Sequence, residues 1–130
     1  DNGKSILSNI ENKIDEVQFY GVSNNREVNF DIKKGKLIIN PLGDYIEFLI
    51  DSAYLYSQLG QNVSTGNINV LTTEKTNGYV VSLKLNYKNV LNITYKKSES
   101  EQEYTKAATT YKIIVTNSGK TSGLTNIDFS

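Results

Sequence analysis

The hydrophobic period changes once along the chain, near Gly21, and this change constrains the fold more than any other feature of the sequence. Upstream of it, apolar side chains recur at spacings of three and four residues, the spacing of one face of an α-helix: Ile6, Leu7, Ile10, Ile14 and Val17. Downstream, apolar and polar side chains alternate in short runs between turn residues, which is typical of β-strands. We therefore predict an amphipathic helix over residues 1–18 and an all-β region over residues 21–130.

The predicted helix needs a surface to pack against. We expect it to end between Gln18 and Gly21, with Asn2 or Ser5 as its N-cap. Its apolar stripe covers about four turns, too few for a helix that is stable alone in water. The stripe must therefore pack against the rest of this chain or against a partner. Our candidates for this contact, either helix to head or subunit to subunit, are Ile6, Leu7, Ile10, Ile14 and Val17.

The alternation downstream of Gly21 predicts seven to nine strands. The longest has one apolar face over residues 79–87, which favours a central place in a sheet. Residues 54–56 extend the third strand weakly. Turns are predicted where Gly, Pro, Asn and Lys interrupt the pattern: residues 33–35, 40–44, 76–78, 88–89 and 117–119.

A chain of 130 residues has the size of one domain, and we predict a single domain over residues 1–130. The fold class that accommodates one short helix and this many strands is mainly β: an antiparallel two-sheet sandwich of immunoglobulin-like type with one N-terminal amphipathic α-helix. A small barrel is the alternative. The helix is expected to lie on one sheet or to project from it, and a projecting helix would need another chain to cover its stripe.

The residue types that the chain lacks exclude several kinds of chemistry. With no Cys and no His, the chain has no disulfide, no thiolate nucleophile, no Cys/His zinc site and no Ser-His-Asp triad. Lys plus Arg total 14 and Asp plus Glu total 14, so no surplus of positive charge favours nucleic acid as a partner. No apolar run reaches the length of a membrane span. We predict a protein that is not an enzyme, with no catalytic residues and no cofactor.

The acidic and aromatic side chains have structural interpretations that we favour over binding sites. Alternating Glu99, Glu101 and Glu103 would place three carboxylates on one face, as a Ca²⁺ site requires, but the run lacks the Gly or Asn of a cation loop. We expect a solvated loop or edge strand there and predict no metal site. Four tyrosines fall in phase with apolar neighbours, which indicates packing rather than a sugar platform: Tyr79, Tyr87, Tyr95 and Tyr111.

Two N-x-Ser/Thr sequons make Asn62 and Asn92 candidate N-glycosylation sites. Asn62 falls in a polar loop, and Asn92 falls on the outward phase of a strand, so both are expected to be accessible. With sixteen Asn in the chain, chance gives roughly three such triplets, so the sequons alone are no evidence of glycosylation. Their use depends on export of the protein.

The order of these segments resembles the soluble domain of archaeal type IV pilin-like proteins, the group made with class III signal peptides. The helical stripe of residues 6–17 is followed in order by segments similar to that family: YGVS at 20–23, REVNFDI at 26–32, GKLIIN at 35–40, DYIEF at 44–48, GYVV at 78–81 and YKIIVTNSG at 111–119. The likeness covers most of the chain and lies in the arrangement of short segments rather than in one motif.

This resemblance implies a cell-surface function. In that family the mature subunit starts with a long hydrophobic helix, which anchors it in the membrane and later packs in the filament core. This chain lacks that segment, and residues 1–17 look like the amphipathic second half of such a helix. Because the chain begins at Asp1 rather than at Met, we expect more sequence upstream, and membrane attachment only through that hydrophobic segment.

The leading hypothesis is a structural and adhesive pilin-like subunit of an archaeal extracellular filament. Its expected partners are other pilin-like subunits, bound through the N-terminal helix as a homo-oligomer, and also surface-layer protein or host and surface glycans. Its expected location is extracellular, at the cell surface. The alternatives are a stator-like component of the archaellum that binds the surface layer, or a sandwich domain that recognises carbohydrate or protein. Carbohydrate binding would require a concave row of exposed Tyr. The phase of the strands instead places the tyrosines of this chain inward.

Overall fold

The chain folds into one helix followed by ten strands, in a computed structural model that describes residues 2–55 and 59–130. The elements are α1 (Asn2–Tyr20), β1 (Asn25–Phe30), β2 (Lys36–Asn40), β3 (Tyr45–Ser52), β4 (Asn62–Thr65), β5 (Ile68–Lys75), β6 (Gly78–Asn86), β7 (Leu91–Tyr95), β8 (Gln102–Tyr104), β9 (Tyr111–Thr121) and β10 (Leu124–Phe129). The predicted change from helix to strands near Gly21 is confirmed.

The strands form two sheets. The four-stranded sheet has the order β1-β9-β10-β7, and the six-stranded sheet has the order β4-β5-β6-β3-β2-β8. All the neighbouring pairs are antiparallel except β10 and β7, which run parallel. The predicted mainly-β sandwich with one N-terminal helix is therefore confirmed, with one parallel pair that the sequence did not indicate.

The hydrophobic core contains side chains from the helix and from both sheets. The alternation predicted for β6 is confirmed, since Val81, Leu83 and Leu85 are buried while the positions between them are partly exposed. At one edge, the rings of Phe30, Tyr104 and Tyr111 pack together with centroids 5.2 to 5.6 Å apart. Because Tyr104 lies in the six-stranded sheet and the other two lie in the four-stranded sheet, this cluster closes the sandwich there.

Helix α1 packs against both sheets, contacting β1 and β9 of one and β3 and β6 of the other. The expectation that it would lie on one sheet or project is wrong. Its stripe is wide enough to meet two surfaces, because residues at positions i, i+3, i+4 and i+7 spread over about 100° of the helix. Gly3 is buried as well, and a Cβ atom there would overlap the ring of Phe48 in β3.

One backbone N–H and two side chains cap the C-terminal end of α1. Gly21, at φ 97°, takes the left-handed conformation and donates its backbone N–H to the Val17 carbonyl at 3.1 Å. The Asn117 side chain in β9 donates to the same carbonyl at 3.1 Å, and the Asn24 side chain donates to the Tyr20 carbonyl at 2.9 Å. These bonds satisfy carbonyl groups that a helix end leaves unpaired and fix the end of α1 to the four-stranded sheet.

The structure corrects the predicted number of strands, seven to nine, to ten in the described part of the chain. Two short strands account for the difference. All four residues of β4 are exposed, and β8 has three residues with no buried position. Neither strand carries the apolar alternation that marks a strand in sequence, because both lie at edges of the six-stranded sheet.

Two predicted boundaries are also wrong. The turn expected at residues 117–119 is a bulge, because β9 continues to Thr121 and the chain reverses at Ser122 and Gly123. Asn117 Oδ1 accepts the Gly119 N–H at 2.9 Å, and the pairing of β9 with β10 shifts register nearby. The expected extension of β3 over residues 54–56 is absent as far as the chain is described: β3 ends at Ser52, and Tyr56 lies outside the described residues.

Candidate functional site

The five residues predicted for helix packing lie together in the core of this chain. Exposure of the side chain is 5% at Ile6 and 0% at each of the other four: Leu7, Ile10, Ile14 and Val17. The two sheets therefore cover the whole stripe, and it offers no surface to a second chain in this structure.

The last two residues of α1 and the residue that follows Gly21 are exposed. We call Phe19, Tyr20, Val22 and Arg26 the helix-end patch. Phe19 is 82% exposed, Tyr20 62% and Val22 65%. The Phe19 and Tyr20 rings meet edge to face with centroids 5.0 Å apart, and the Arg26 guanidinium lies 5.3 Å from the Tyr20 centroid. A patch of this kind on a capped, fixed helix end is typical of a protein interface.

A second surface lies on the outer face of the six-stranded sheet. It is a groove of about 430 Å³ across four adjacent strands, which we call the sheet groove. Its lining residues come from β3, β4, β5 and β6: Glu47, Leu49, Asn62, Asn69, Leu71, Thr73, Val80, Ser82, Lys84 and Asn86. The pairing of the strands places these side chains in rows, with Glu47 opposite Lys84 and Lys84 opposite Asn69.

The polar side chains of the sheet groove are only partly engaged with one another. Ser82 donates its hydroxyl to the Glu47 carboxylate, and Ser64 donates to Asn69 Oδ1 at 3.0 Å. The Lys84 ammonium lies 4.2 Å from the centroid of the Tyr45 ring. In the part of the chain that the structure describes, no hydrogen bond uses the side-chain N–H groups of Asn62 and Asn69.

Apolar side chains form the floor between these polar groups. Leu49, Leu71 and Val80 line the groove and are half-buried, although they point away from the core. Ile38 lies beside Glu47 in the neighbouring strand and is only 8% exposed on this same outer face. The groove therefore combines an apolar base with amide, hydroxyl and charged groups, a composition common in binding sites for small polar ligands.

The two sequons lie in different environments. Asn62 is exposed in β4 and lines the sheet groove. Asn92 is half-buried in β7, opposite Asn126 of β10. Both side chains lie on strands, whereas the sequence indicated a loop for Asn62.

The acidic candidates are engaged in separate interactions. Glu101 accepts a hydrogen bond from Asn40 at 3.0 Å, and Glu103 pairs with Lys36 at 3.6 Å, so this run borders β2 as an edge strand. Among residues 2–55 and 59–130, no three acidic side chains come together as a metal ion requires. Within the same ranges, no helix combines the length and the apolarity that crossing a bilayer requires.

The predicted tyrosines border the core. Tyr87, Tyr95 and Tyr111 are partly buried against it, and Tyr79 is half-buried in β6. Burial raises the pKa of Tyr87 well above its ordinary value, with a further contribution from the carboxylates of Glu11 and Asp15. Its hydroxyl is buried without a hydrogen-bond partner among the described residues. The ring remains neutral over the physiological range, so it acts as a packing group.

Two carboxyl groups have shifted pKa values. The pKa of Asp15 is raised mainly by its partial burial and, to a smaller extent, by the charge of Glu11. The pKa of Glu27 is lowered mainly by a hydrogen bond from Asn29 and, to a smaller extent, by the charge of Lys112. Neither residue lies in the helix-end patch or the sheet groove, so these shifts concern folding rather than binding.

Neither the helix-end patch nor the sheet groove was predicted from the sequence. A signal was present for Phe19, which follows Val17 by two positions and so falls outside the spacing of the stripe, but not for Tyr20, which follows Val17 by three. The sheet groove had no such signal, since its side chains come from segments up to 39 positions apart, from Glu47 to Asn86, and their meeting depends on strand order.

Comparison with known proteins identifies no relative. A scan against protein-family models, a search of curated proteins and a search of solved structures each gave no match. The fold and the two surfaces are therefore the basis for any statement about function.

Proposed function

We propose that this chain is the head of a pilin-like subunit of an archaeal extracellular filament, a structural and adhesive protein without catalytic activity. The observation that carries the proposal is the helix-end patch. Three large apolar side chains, Phe19, Tyr20 and Val22, are more than half exposed on a helix that the sandwich holds in place. Large apolar side chains exposed close together in the chain, two of them in ring contact, favour contact with another protein.

The arrangement of α1 supports assembly through its end rather than its side. Since the two sheets bury the stripe from Ile6 to Val17, subunits that meet through α1 would contact the apolar groups exposed at its end, Phe19 and Tyr20, together with Val22. Hydrogen bonds from Asn24 and Asn117 fix these groups in position before contact. A pre-organised surface loses less conformational entropy on association, which favours repeated contacts of one kind.

The charge of the chain supports contact between identical copies. Lys plus Arg and Asp plus Glu are equal in number, so copies do not repel one another through net charge. Within the patch, Arg26 lies over Tyr20 and near Glu16, with 3.9 Å between its Nε and the carboxylate. The patch thus contains an aromatic pair, an aliphatic group and a cation, residue types that are enriched at protein interfaces.

The test uses the absence of cysteine from the chain, which lets one introduced thiol report on one position. Val22→Cys places the thiol in the helix-end patch. Val90→Cys is the matched control, because Val90 is 60% exposed against 65% for Val22 and lies between β6 and β7. Each variant is made in the full-length gene in the source organism, and filaments are sheared from the cells and treated with a maleimide dye.

In this experiment the chain should appear in the sheared filament fraction. Val22→Cys should be protected from the dye in filaments and labelled after dissociation, while Val90→Cys should be labelled in both states. Absence of the chain from the filament fraction would overturn the filament proposal, and retention in the cell envelope would support the stator-like alternative instead. Equal labelling of the two positions in filaments would remove the helix-end patch from the subunit contact.

A further inference from the structure

We infer that the sheet groove is a binding site for a neutral oligosaccharide from outside the chain. The inference rests on the side chains of β3, β4, β5 and β6 that line the groove and does not depend on filament assembly. The four strands are about 4.8 Å apart, so the groove is about 14 Å across, and at about 430 Å³ it lies within the usual range of ligand sites.

The polar groups of the groove match the hydroxyl groups of a sugar. The amide groups of Asn62 and Asn69 offer N–H donors that no acceptor in the described residues uses. Glu47 accepts from Ser82 through Oε2, which leaves Oε1 to accept from a ligand. A sugar hydroxyl both donates and accepts, so it can bond to an amide N–H and to a carboxylate oxygen.

The apolar floor matches the carbon face of a sugar ring. Leu49 and Leu71 lie on either side of Ser82 in one cross-strand row, Val80 lies in the next row, and all three remain partly exposed to solvent. Covering them with the C–H groups of a ligand would remove apolar surface from water while the hydroxyls reach the polar rims. A highly charged ligand would not be stabilised by contact with this apolar floor.

The charges of the groove favour a neutral ligand. Among its lining residues, Glu47 and Lys84 are the two charged ones, and they lie directly opposite each other on adjacent strands. The two charges cancel over the groove, so neither an anionic nor a cationic chain is attracted. The groove has no row of exposed tyrosines among its lining residues. The structure offers amides and aliphatic groups, with Tyr45 at the border under the Lys84 ammonium.

The inference is tested by NMR titration of the isotope-labelled chain, produced in bacteria so that Asn62 carries no sugar. The probes are neutral tetrasaccharides of glucose, mannose, galactose and N-acetylglucosamine, each raised to about 10 mM to detect dissociation constants near 1 mM. A uronic acid tetrasaccharide serves as the anionic control. At least one neutral probe should shift the amide resonances of β4, β5 and β6 and leave those of β1 unchanged.

Substitutions then locate the site. Asn69→Ala removes one amide from the groove and should weaken binding about fivefold, the loss expected for one hydrogen bond. Asn25→Ala is the matched control, because Asn25 is an exposed strand asparagine in β1 of the other sheet, and it should bind like the unsubstituted chain. Leu71→Ala tests the floor and should weaken binding without changing the preference among neutral sugars.

Several results would overturn the inference: no groove shifts with any neutral probe, groove shifts with the anionic probe alone, or equal weakening by Asn69→Ala and Asn25→Ala. Mass spectrometry of the protein from its source shows whether Asn62 itself carries a glycan. A glycan found on Asn62 would place the chain's own sugar at the edge of the groove, and would overturn the assignment to an external ligand.

Discussion

The body of α1 and its last turn belong to one helix but place their apolar side chains in opposite environments. Leu7, Ile10 and Ile14 are 0% exposed, whereas Phe19 is 82% exposed and Tyr20 62%. Both sheets pack against the side of α1 that carries the stripe, whereas Phe19 and Tyr20 at its end remain exposed to solvent. The difference shows that burial follows position against the sandwich rather than residue type.

The two parts of α1 therefore contribute to different properties. Each aliphatic side chain in the body contributes about 1.5–3 kcal/mol to stability when it is fully buried. The aromatic side chains of the last turn contribute little to folding, because water reaches them in the folded chain as well as in the unfolded chain. Substitutions in the body should therefore change the free energy of unfolding, and substitutions in the last turn should change association.

The strongest test of the body is Ile10→Asp. Ile10 is 0% exposed, so the substitution buries a carboxylate without a partner and should lower the free energy of unfolding by more than about 4 kcal/mol. Asn12→Asp is the control, since Asn12 lies exposed on the other face of α1 and the added charge is the same. Urea unfolding measures both. Similar midpoints for the two variants would show that the stripe is not buried in the isolated chain.

A second test of the body concerns Gly3, where Ala would ordinarily strengthen a helix by about 1 kcal/mol. Here the added Cβ would overlap the buried ring of Phe48, so Gly3→Ala should lower stability by about 1–3 kcal/mol. Asn12→Ala places the same residue on the exposed face and should raise stability by a few tenths of a kcal/mol. Thermal and urea unfolding give the sign of each change. A gain at both positions would mean that α1 does not approach β3 this closely.

The boundary between the two parts of α1 is held by Asn117, which is 5% exposed and donates to the Val17 carbonyl. Asn117→Ala should lower the free energy of unfolding by about 1–2 kcal/mol, because it removes this bond and the one from the Gly119 N–H. Hydrogen exchange should also become faster in the last turn of α1 than in its body. An unchanged exchange rate at the end of α1 would assign the fixing of that end to Asn24 and Gly21 alone.

The sequence predicted the body of α1 well because one physical rule determines it. The spacing of Ile6, Ile10 and Ile14 defines a buried face whatever surface covers that face. The same holds for β6, where strict alternation separates Val81 and Leu83 from the outer face. In both cases the information is local to one element.

The remaining features depend on contacts between distant segments. Strand β4 has no buried residue, so only its pairing with β5 reveals it. The parallel pairing of β7 with β10 joins residues more than thirty positions apart, as in the pair Leu91 and Thr125. The sheet groove likewise depends on β3 lying beside β6, which periodicity along the chain does not encode.

A smaller effect is expected at Asp15, on the exposed side of the body of α1. Its pKa is raised above the ordinary value of 3.8 by partial burial and by Glu11, so the folded state binds the proton more tightly than the unfolded state does. Stability therefore falls as the pH rises above that value. Asp15→Asn should leave the melting temperature unchanged near about pH 3 and raise it near about pH 7. An equal difference in melting temperature between Asp15→Asn and the unsubstituted chain at both pH values would contradict a raised pKa at Asp15.

The smallest effect on folding is expected at Phe19, in the last turn, and it completes the comparison. Because Phe19 is 82% exposed, Phe19→Ser should change the free energy of unfolding by no more than about 0.5 kcal/mol. Ile14→Ser is the matched control in the body, where a hydroxyl replaces a side chain that is 0% exposed, and it should cost about 3 kcal/mol or more. Urea unfolding of both variants at equal protein concentration gives the loss in free energy of unfolding for each. A loss at Phe19 above about 1 kcal/mol would mean that the last turn takes part in the core of the chain, and the helix-end patch would then no longer be a surface kept for another protein.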